Sequence, residues 1–335
     1  MKENRKGFRV FVIALAVAII GMLISGTMQK KDSDNSEIDI VMSKNKKNSL
    51  FEQALGKSSK KMPNINGDYI AVLYICGVIS EANKTYNQDW ILETIDTLKN
   101  DEKNKGIMLY IDSPGGTVYE SDETYLALVD YKNSTERPVY SYFSSLAASG
   151  GYYIGCAADK IYANRNCLTG SIGVIAGQSM DMTGLFDKIG IKSTTITAGK
   201  NKNMLNYNSP LTQEQRDIMQ SIADDAYEQF TGIVSVSRKM DIDAVRTLAD
   251  GRIYTAKQAS ANGLIDDVCQ LAEAKDKMKE IVDAKDVEFV DFEYEYTYSF
   301  MDMLSDVSTA VSNPKAAFEN KIGRTGAMSL NYLYR

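Results

Sequence analysis

The chain has 335 residues, 44% hydrophobic and 24% charged, with a formal net charge of −6. That length supports one large or two small domains with real cores. The acidic balance, with no basic stripe interleaved with aromatics, removes the phosphate attraction on which most nucleic-acid binders rely, so no nucleic-acid partner is expected. There is no histidine, which excludes a Ser/His/Asp triad, a Cys/His dyad and the usual histidine-containing zinc site.

At the N-terminus Lys2, Arg5, Lys6 and Arg9 precede an uncharged apolar run over 10–25. With residues 26–28 it approaches the ~20 residues a helix needs to span a bilayer. Basic residues on its N-terminal side place 1–9 in the cytoplasm and everything after about residue 29 outside. A cleaved signal peptide would want an A-x-A-like site after the run, and none is present. The expectation is an uncleaved transmembrane anchor over 10–28, then a polar, Lys-rich linker over 29–66.

From Asp68 the texture changes. Short β-branched and aromatic runs at 69–79, 106–111, 138–143, 159–163 and 193–197 predict buried strands. Between them 87–100, 118–132, 150–158 and 181–189 predict helices. Such alternation implies an α/β architecture with helices flanking largely parallel strands. A long helix is predicted over 213–237, its start marked by Thr212 and Gln215 at capping-box spacing. Its apolar stripe, Ile218, Met219, Ile222, Ala226, Phe230, Ile233 and Val234, must pack on something. Residues 288–304 alternate acidic and aromatic side chains, as an edge strand would. The domain is drawn as 67–290 with a C-terminal extension over 291–335, its end either an ordinary terminus or a segment lying in a substrate groove. Cys76, Cys156, Cys167 and Cys269 lie far apart without a C-x-x-C pair and are expected to be buried free thiols, with a disulfide the alternative if the domain is extracytoplasmic.

Three glycine-containing segments carry the chemistry. Asp112-Ser113-Pro114-Gly115-Gly116 lies between a strand end and a helix start. It reads either as a plain tight turn or as a place where unpaired N–H groups converge on a ligand. In Ser144-Ser145-Leu146-Ala147-Ala148-Ser149-Gly150-Gly151 a serine sits among small residues just before a helix. A lone serine there is an ordinary N-cap; two alanines before and two glycines after clear the approach to its Oγ and leave the Gly150 N–H placed for an oxyanion. Leu168-Thr169-Gly170-Ser171-Ile172-Gly173 adds a hydroxyl at Ser171, either to orient a base or to close a local turn.

These segments, in this order, with Gly199-Lys200-Asn201-Lys202 and Asp250-Gly251-Arg252-Ile253-Tyr254 after them, resemble the signal peptide peptidase A family over roughly residues 68–270. The resemblance implies the fold of the Clp protease/crotonase superfamily, a spiral of ββα units. It also implies that Ser149 is the nucleophile and that Lys202, three residues after Gly199, is the general base. Lys200 is the competing candidate. Ser171 then orients the amine, and N–H groups of Gly115, Gly116 and Gly150 form the oxyanion hole. A lysine can take a serine proton only as the neutral amine, so such a base must be brought from ~10.4 toward about 7–8 by burial.

The resulting expectation is a membrane-anchored serine endopeptidase on the extracytoplasmic side. It would cleave signal-peptide remnants or other apolar peptides through an acyl-enzyme, without cofactor or metal. The resemblance implies that in double-length relatives the lysine and the serine lie in different halves of the chain. A single-length chain is therefore expected to form a homo-oligomeric ring, with each site taking the two residues from neighbouring subunits. The alternatives are a crotonase-like acyl-CoA lyase and a non-catalytic membrane scaffold.

Overall fold

A computed structural model describes residues 65–282 and 287–296. The expected cytoplasmic segment 1–9, the anchor over 10–28, nearly all of the linker 29–66 and most of the C-terminal extension lie outside the described residues. Among the described residues no helix is long and apolar enough to cross a membrane.

Strand β1 (Tyr69–Cys76) leads through helix α1 (Gln88–Asn100) to β2 (Asn104–Ser113), and through α2 (Val118–Thr135) to β3 (Val139–Ala148). Neighbouring strands β1, β2 and β3 run parallel, which requires a crossover between each pair, and the helices supply it. One face of the sheet packs Leu73, Ile75, Leu109 and Ile111 against α1 and α2 residues such as Ile91, Ile95 and Leu128. The other face packs Ile70, Met108 and Tyr142 against Ala274 and Met278 of a later helix. Strands covered on both faces are apolar almost throughout, which is why their runs are so conspicuous in the sequence.

Beyond β3 come α3 (Gly150–Gly155), β4 (Lys160–Ala163), β5 (Leu168–Gly170), α4 (Thr183–Ile189) and the long α5 (Gln213–Arg238). After these are α6 (Ile242–Leu248), β6 (Ile253–Thr255), α7 (Ala256–Ala261), β7 (Asp267–Val268), α8 (Leu271–Val282) and β8 (Glu288–Phe292). The sheet order is β6-β5-β3-β2-β1-β8, with β4 pairing both β3 and β7. Among the described strand pairs only β5–β6 is antiparallel. The edge strand expected near 288 is β8, parallel to β1; residues 297–304 of that stretch lie outside the described residues.

Strand β3 forks. Its first half, Tyr140 to Phe143, pairs with β4, whereas Leu146 to Ala148 pair with β5. The register against β2 slips at the same place. Asp112 secures the slip: its Oδ1 accepts from Ser145 Oγ at 2.6 Å and from the Leu146 N–H at 3.2 Å. A bulge near a strand end re-aims the residues after it, and the residue directly after β3 is Ser149.

Two expectations are corrected. Residues 193–197 form no strand; they are exposed, with Ile196 94% accessible. β-branched residues favour extended chain where a face packs, and here no strand lies alongside. Of the α5 stripe, expected to be packed, only Phe230 and Val234 are buried; Ile233 packs partly buried against the core, and Ile222 is 51% exposed. The capping box at Thr212 and Gln215 is present. All four cysteines are free thiols, and burial pushes Cys156 and Cys167 up to about 12, leaving them unreactive as nucleophiles.

Candidate active site

Ser149 stands at the junction of β3 and α3, with φ 53° and ψ −121°. A non-glycine residue there costs on the order of 1–3 kcal/mol and persists only where its surroundings enforce it. The Ser149 N–H donates to Gly170 O at 2.8 Å and its carbonyl accepts from the Tyr153 N–H at 2.9 Å. Its side chain makes no capping hydrogen bond, so the ordinary role of a serine before a helix does not apply. The strand turns abruptly into the helix and leaves Ser149 lining a cavity of about 570 Å³.

The Asp112–Gly116 turn is pressed against this junction. Ser113 Oγ donates to Gly77 O at 2.6 Å and accepts from the Gly115 N–H at 3.0 Å. Gly115 has φ +97°, and a Cβ there would lie 2.6 Å from Gly150 N and 2.7 Å from Ser149 Cβ. No other residue fits. Because its N–H is held by Ser113, Gly115 shapes the turn and is not a free donor, which corrects the expectation that it belongs to the oxyanion hole. The N–H groups of Gly116 and Gly150 have no acceptor among the described residues, and both glycines line the cavity beside Ser149. A Cβ on Gly150 would stand 3.3 Å from Gly116 N, so the two donors are close neighbours. Such a pair can stabilise charge developing on a carbonyl oxygen next to Oγ.

Ser171 lines the same cavity. It too has a positive φ, 50°, and its N–H donates to Arg252 O at 2.8 Å. Thr169 Oγ1 donates to Ala147 O at 2.6 Å, so the turn bearing Ser171 is stitched to the strand bearing Ser149. Further walls of the cavity are Val118, Tyr153, Ala226, Tyr227 and Phe230. One carboxylate, Asp250, reaches the lining among the described residues. Arg252 grips it through Nε at 2.7 and 2.8 Å, and this hydrogen bonding holds the carboxyl below its ordinary value.

No lysine lines the cavity among the described residues. Lys200 is ion-paired with Glu214 in the first turn of α5, and Asn201 Nδ2 donates to Glu214 Oε1 at 3.0 Å. Lys202 is exposed and its Nζ has no partner among the described residues. Glu214, which holds this loop, and Ala226, which lines the cavity, are both on α5. They are 12 residues apart on that helix, about 18 Å along its axis. The chain thus brings together Ser149, Gly116, Gly150 and Ser171 and leaves Lys202 apart.

Sequence reasoning assigned no individual role to Asp112 or Ser113, although both lie in the first glycine-containing segment, nor to Tyr153. For Tyr153 a signal existed, since it lies one helical turn after Ser149. For the partners of its hydroxyl, Asp122 and Gln229, there was none, because they come from separate elements.

The model of peptidase family S49 matches residues 131–285, a stretch that holds Ser149, Ser171 and Lys202. A candidate signal peptide peptidase SppA of Enterococcus faecium is 34% identical over 82% of this chain and 80% of its own length. Protease 4 of Haemophilus influenzae is 29% identical over 76% of this chain and 41% of its own. Among solved structures, a ClpP1 variant from Listeria monocytogenes aligns with a TM-score of 0.42 at 14% identity, covering 60% of this chain and 92% of that one. By the family match and the extent of the Enterococcus faecium alignment, the chain belongs to peptidase family S49 and is a serine peptidase.

Proposed function

We propose that the chain is a membrane-anchored endopeptidase, facing the extracytoplasmic side, that cleaves signal-peptide remnants or other apolar peptides through an acyl-enzyme on Ser149. The observation that carries this reading is Ser149 itself, held at φ 53° beside two N–H groups without protein acceptors among the described residues. The base in this reading is Lys202, supplied by a neighbouring copy in a homo-oligomeric ring, with Ser171 orienting its amine. Support comes from the lysine loop standing about a dozen helical residues from its own cavity and from the surface around it. No residue from 173 to 229 is buried, although this stretch includes Ile175, 89% exposed, Met180, Ile189, Ile191 and Ile196. An apolar surface of this kind marks a protein contact.

The neutral amine takes the proton from Ser149 Oγ as the oxygen attacks the scissile carbonyl carbon. The carbonyl oxygen, now negative, meets the N–H groups of Gly150 and Gly116. Collapse breaks the C–N bond, and the ammonium returns its proton to the leaving amine. Water, deprotonated by the same amine, then attacks the ester and restores Ser149. Val118 and Tyr119, both exposed and the first of them lining the cavity, suit an apolar substrate.

The test is complementation between Ser149→Ala and Lys202→Ala. If each site draws on two subunits, mixing the dead variants one to one restores an intact pair at roughly a quarter of the junctions. Activity that stays at background after demonstrated subunit exchange rejects the shared site.

A further inference from the structure

The cavity wall contributed by α5 is a cantilever. Ala226, Tyr227 and Phe230 line the cavity, yet the residues that anchor α5 by burial, Phe230, Thr231 and Val234, lie at or beyond the C-terminal end of that wall. On the N-terminal side no residue is buried back to 173. Tyr227 packs against the core only partly buried, and the polar tie between the wall and the body of the domain is Tyr153. Its side chain is 4% exposed, and its ring packs at 5.0 Å from the Phe230 ring and 5.5 Å from that of Tyr125. Its hydroxyl donates to Asp122 Oδ1 on α2 at 2.6 Å and accepts from Gln229 Nε2 on α5 at 2.7 Å. Burial, and next the hydrogen bond to Asp122, push the phenol up, so it remains a neutral donor through the physiological range. One hydroxyl thus joins α2, α5 and α3, the helix that starts directly after Ser149.

We propose that Tyr153, held by Asp122 and Gln229, is the specificity-determining residue that limits the size of the substrate side chain admitted beside Ser149. The proposal rests on the reading of Ser149 as nucleophile. With the latch closed, the α5 wall is fixed and the cavity has a set depth. With it cut, nothing buried on the N-terminal side prevents the wall from moving outward, and larger side chains enter. Phe230 and Val234 keep the far end of α5 in place, so the change is one of pocket size and not of fold.

The experiment uses the full-length chain and a pair of peptide anilides that differ only in the residue on the acyl side of the scissile bond, alanine in one and tryptophan in the other. The readout is the ratio of their kcat/KM values, in which the concentration of active enzyme cancels, so a partly misfolded variant still reports. Tyr153→Phe keeps the ring and removes both hydrogen bonds. It is expected to raise the tryptophan-to-alanine ratio about tenfold, the scale on which small changes in an apolar pocket discriminate. Gln229→Leu removes only the α5 arm of the latch and should move the ratio the same way by about threefold, on that same scale. Asp122→Asn retains an acceptor for the hydroxyl and should leave the ratio near wild type. An unchanged ratio in both Tyr153→Phe and Gln229→Leu overturns the latch. Equal hydrolysis by wild type and Ser149→Ala would instead remove the nucleophile on which it stands, and the proposal with it.

Discussion

The region that ends in Ser149 and the excursion that carries Lys202 are built in opposite ways. Around Ser149 the backbone is tied at nearly every step. Gly170 holds its N–H, Asp112 fixes the bulge before it, and Gly115 leaves no room for a methyl group. From 173 to 229 the reverse holds: no residue is buried, apolar side chains are exposed, and Lys202 stands without an ion-pair partner among the described residues. A residue strained as Ser149 is needs surroundings that over-determine it. A loop that completes a site elsewhere needs a surface that becomes interior only on assembly. The difference teaches that this chain pre-organises one half of its chemistry internally and, under the proposed reading, leaves the other half to a neighbour.

The largest effect expected on the rigid side is from Ser149→Ala. Losing the proposed nucleophile should lower kcat by about 10³-fold or more, while thermal unfolding stays near wild type or rises slightly as backbone strain is relieved. Peptide hydrolysis above a few per cent of wild type would end the assignment. On the excursion side, Lys202→Ala should lose activity on a similar scale, whereas Lys200→Ala, which breaks only an exposed pair with Glu214, should keep most of it. The opposite pattern would move the base to Lys200.

The same contrast explains why one region was legible in sequence and the other was not. The strands at 69–79, 106–111 and 138–143 and their flanking helices were visible because packing on two faces leaves continuous apolar runs. The strand expected at 193–197 failed because its residues have β-forming side chains and no partner strand within the described residues. The apolar stripe of α5 misled for the same reason, since periodicity reports which face is apolar and not what covers it. At the site, small residues flanking Ser149 pointed to an open approach, and the N–H groups of Gly150 and Gly116 have no acceptor among the described residues. That Gly115 commits its N–H to Ser113 is a tertiary detail that a glycine pair does not encode. Nor is the φ of Ser149 encoded locally, because it arises from contacts made by residues far away in the chain.

Two glycines with positive φ compare the regions directly. Gly115→Ala forces a Cβ to 2.6–2.8 Å from the backbone and side chain around Ser149 and should lower kcat by about tenfold or more through misplacement of Ser149. Gly190 lies in the excursion, at φ +73°, with nothing within 4 Å of an added Cβ. Gly190→Ala should cost only the backbone strain, about 1 kcal/mol, and leave kcat unchanged. Equal effects on kcat would mean that the excursion is as closely coupled to Ser149 as the turn is.

The smallest effect concerns the end of α5 that is anchored. Arg238 closes that helix, with its side chain 9% exposed, and donates from Nη1 to Asp266 Oδ2 at 2.8 Å. Asp266 also accepts from Lys160 Nζ at 3.0 Å and from the Ile161 N–H at 2.9 Å. It therefore pins the C-terminal end of α5 to the start of β4. Burial alone would raise the Asp266 carboxyl, but the hydrogen bonds from Arg238, Ile161 and Lys160 outweigh it and hold the group below its ordinary value. A carboxyl lower in the folded than in the unfolded state adds stability that is fully present above the unfolded value of ~3.9. That stability is lost as pH falls through the lower folded value. Asp266→Asn should cost about 1–3 kcal/mol at pH 7 and flatten the fall in stability below pH ~4, leaving kcat at pH 7 close to wild type. Urea unfolding at pH 7 and at about pH 3, below the unfolded value, measures both. If the variant and the wild type lose stability in parallel between those pH values, Asp266 is not what pins the helix, and the firm end of α5 rests on Phe230 and Val234 alone.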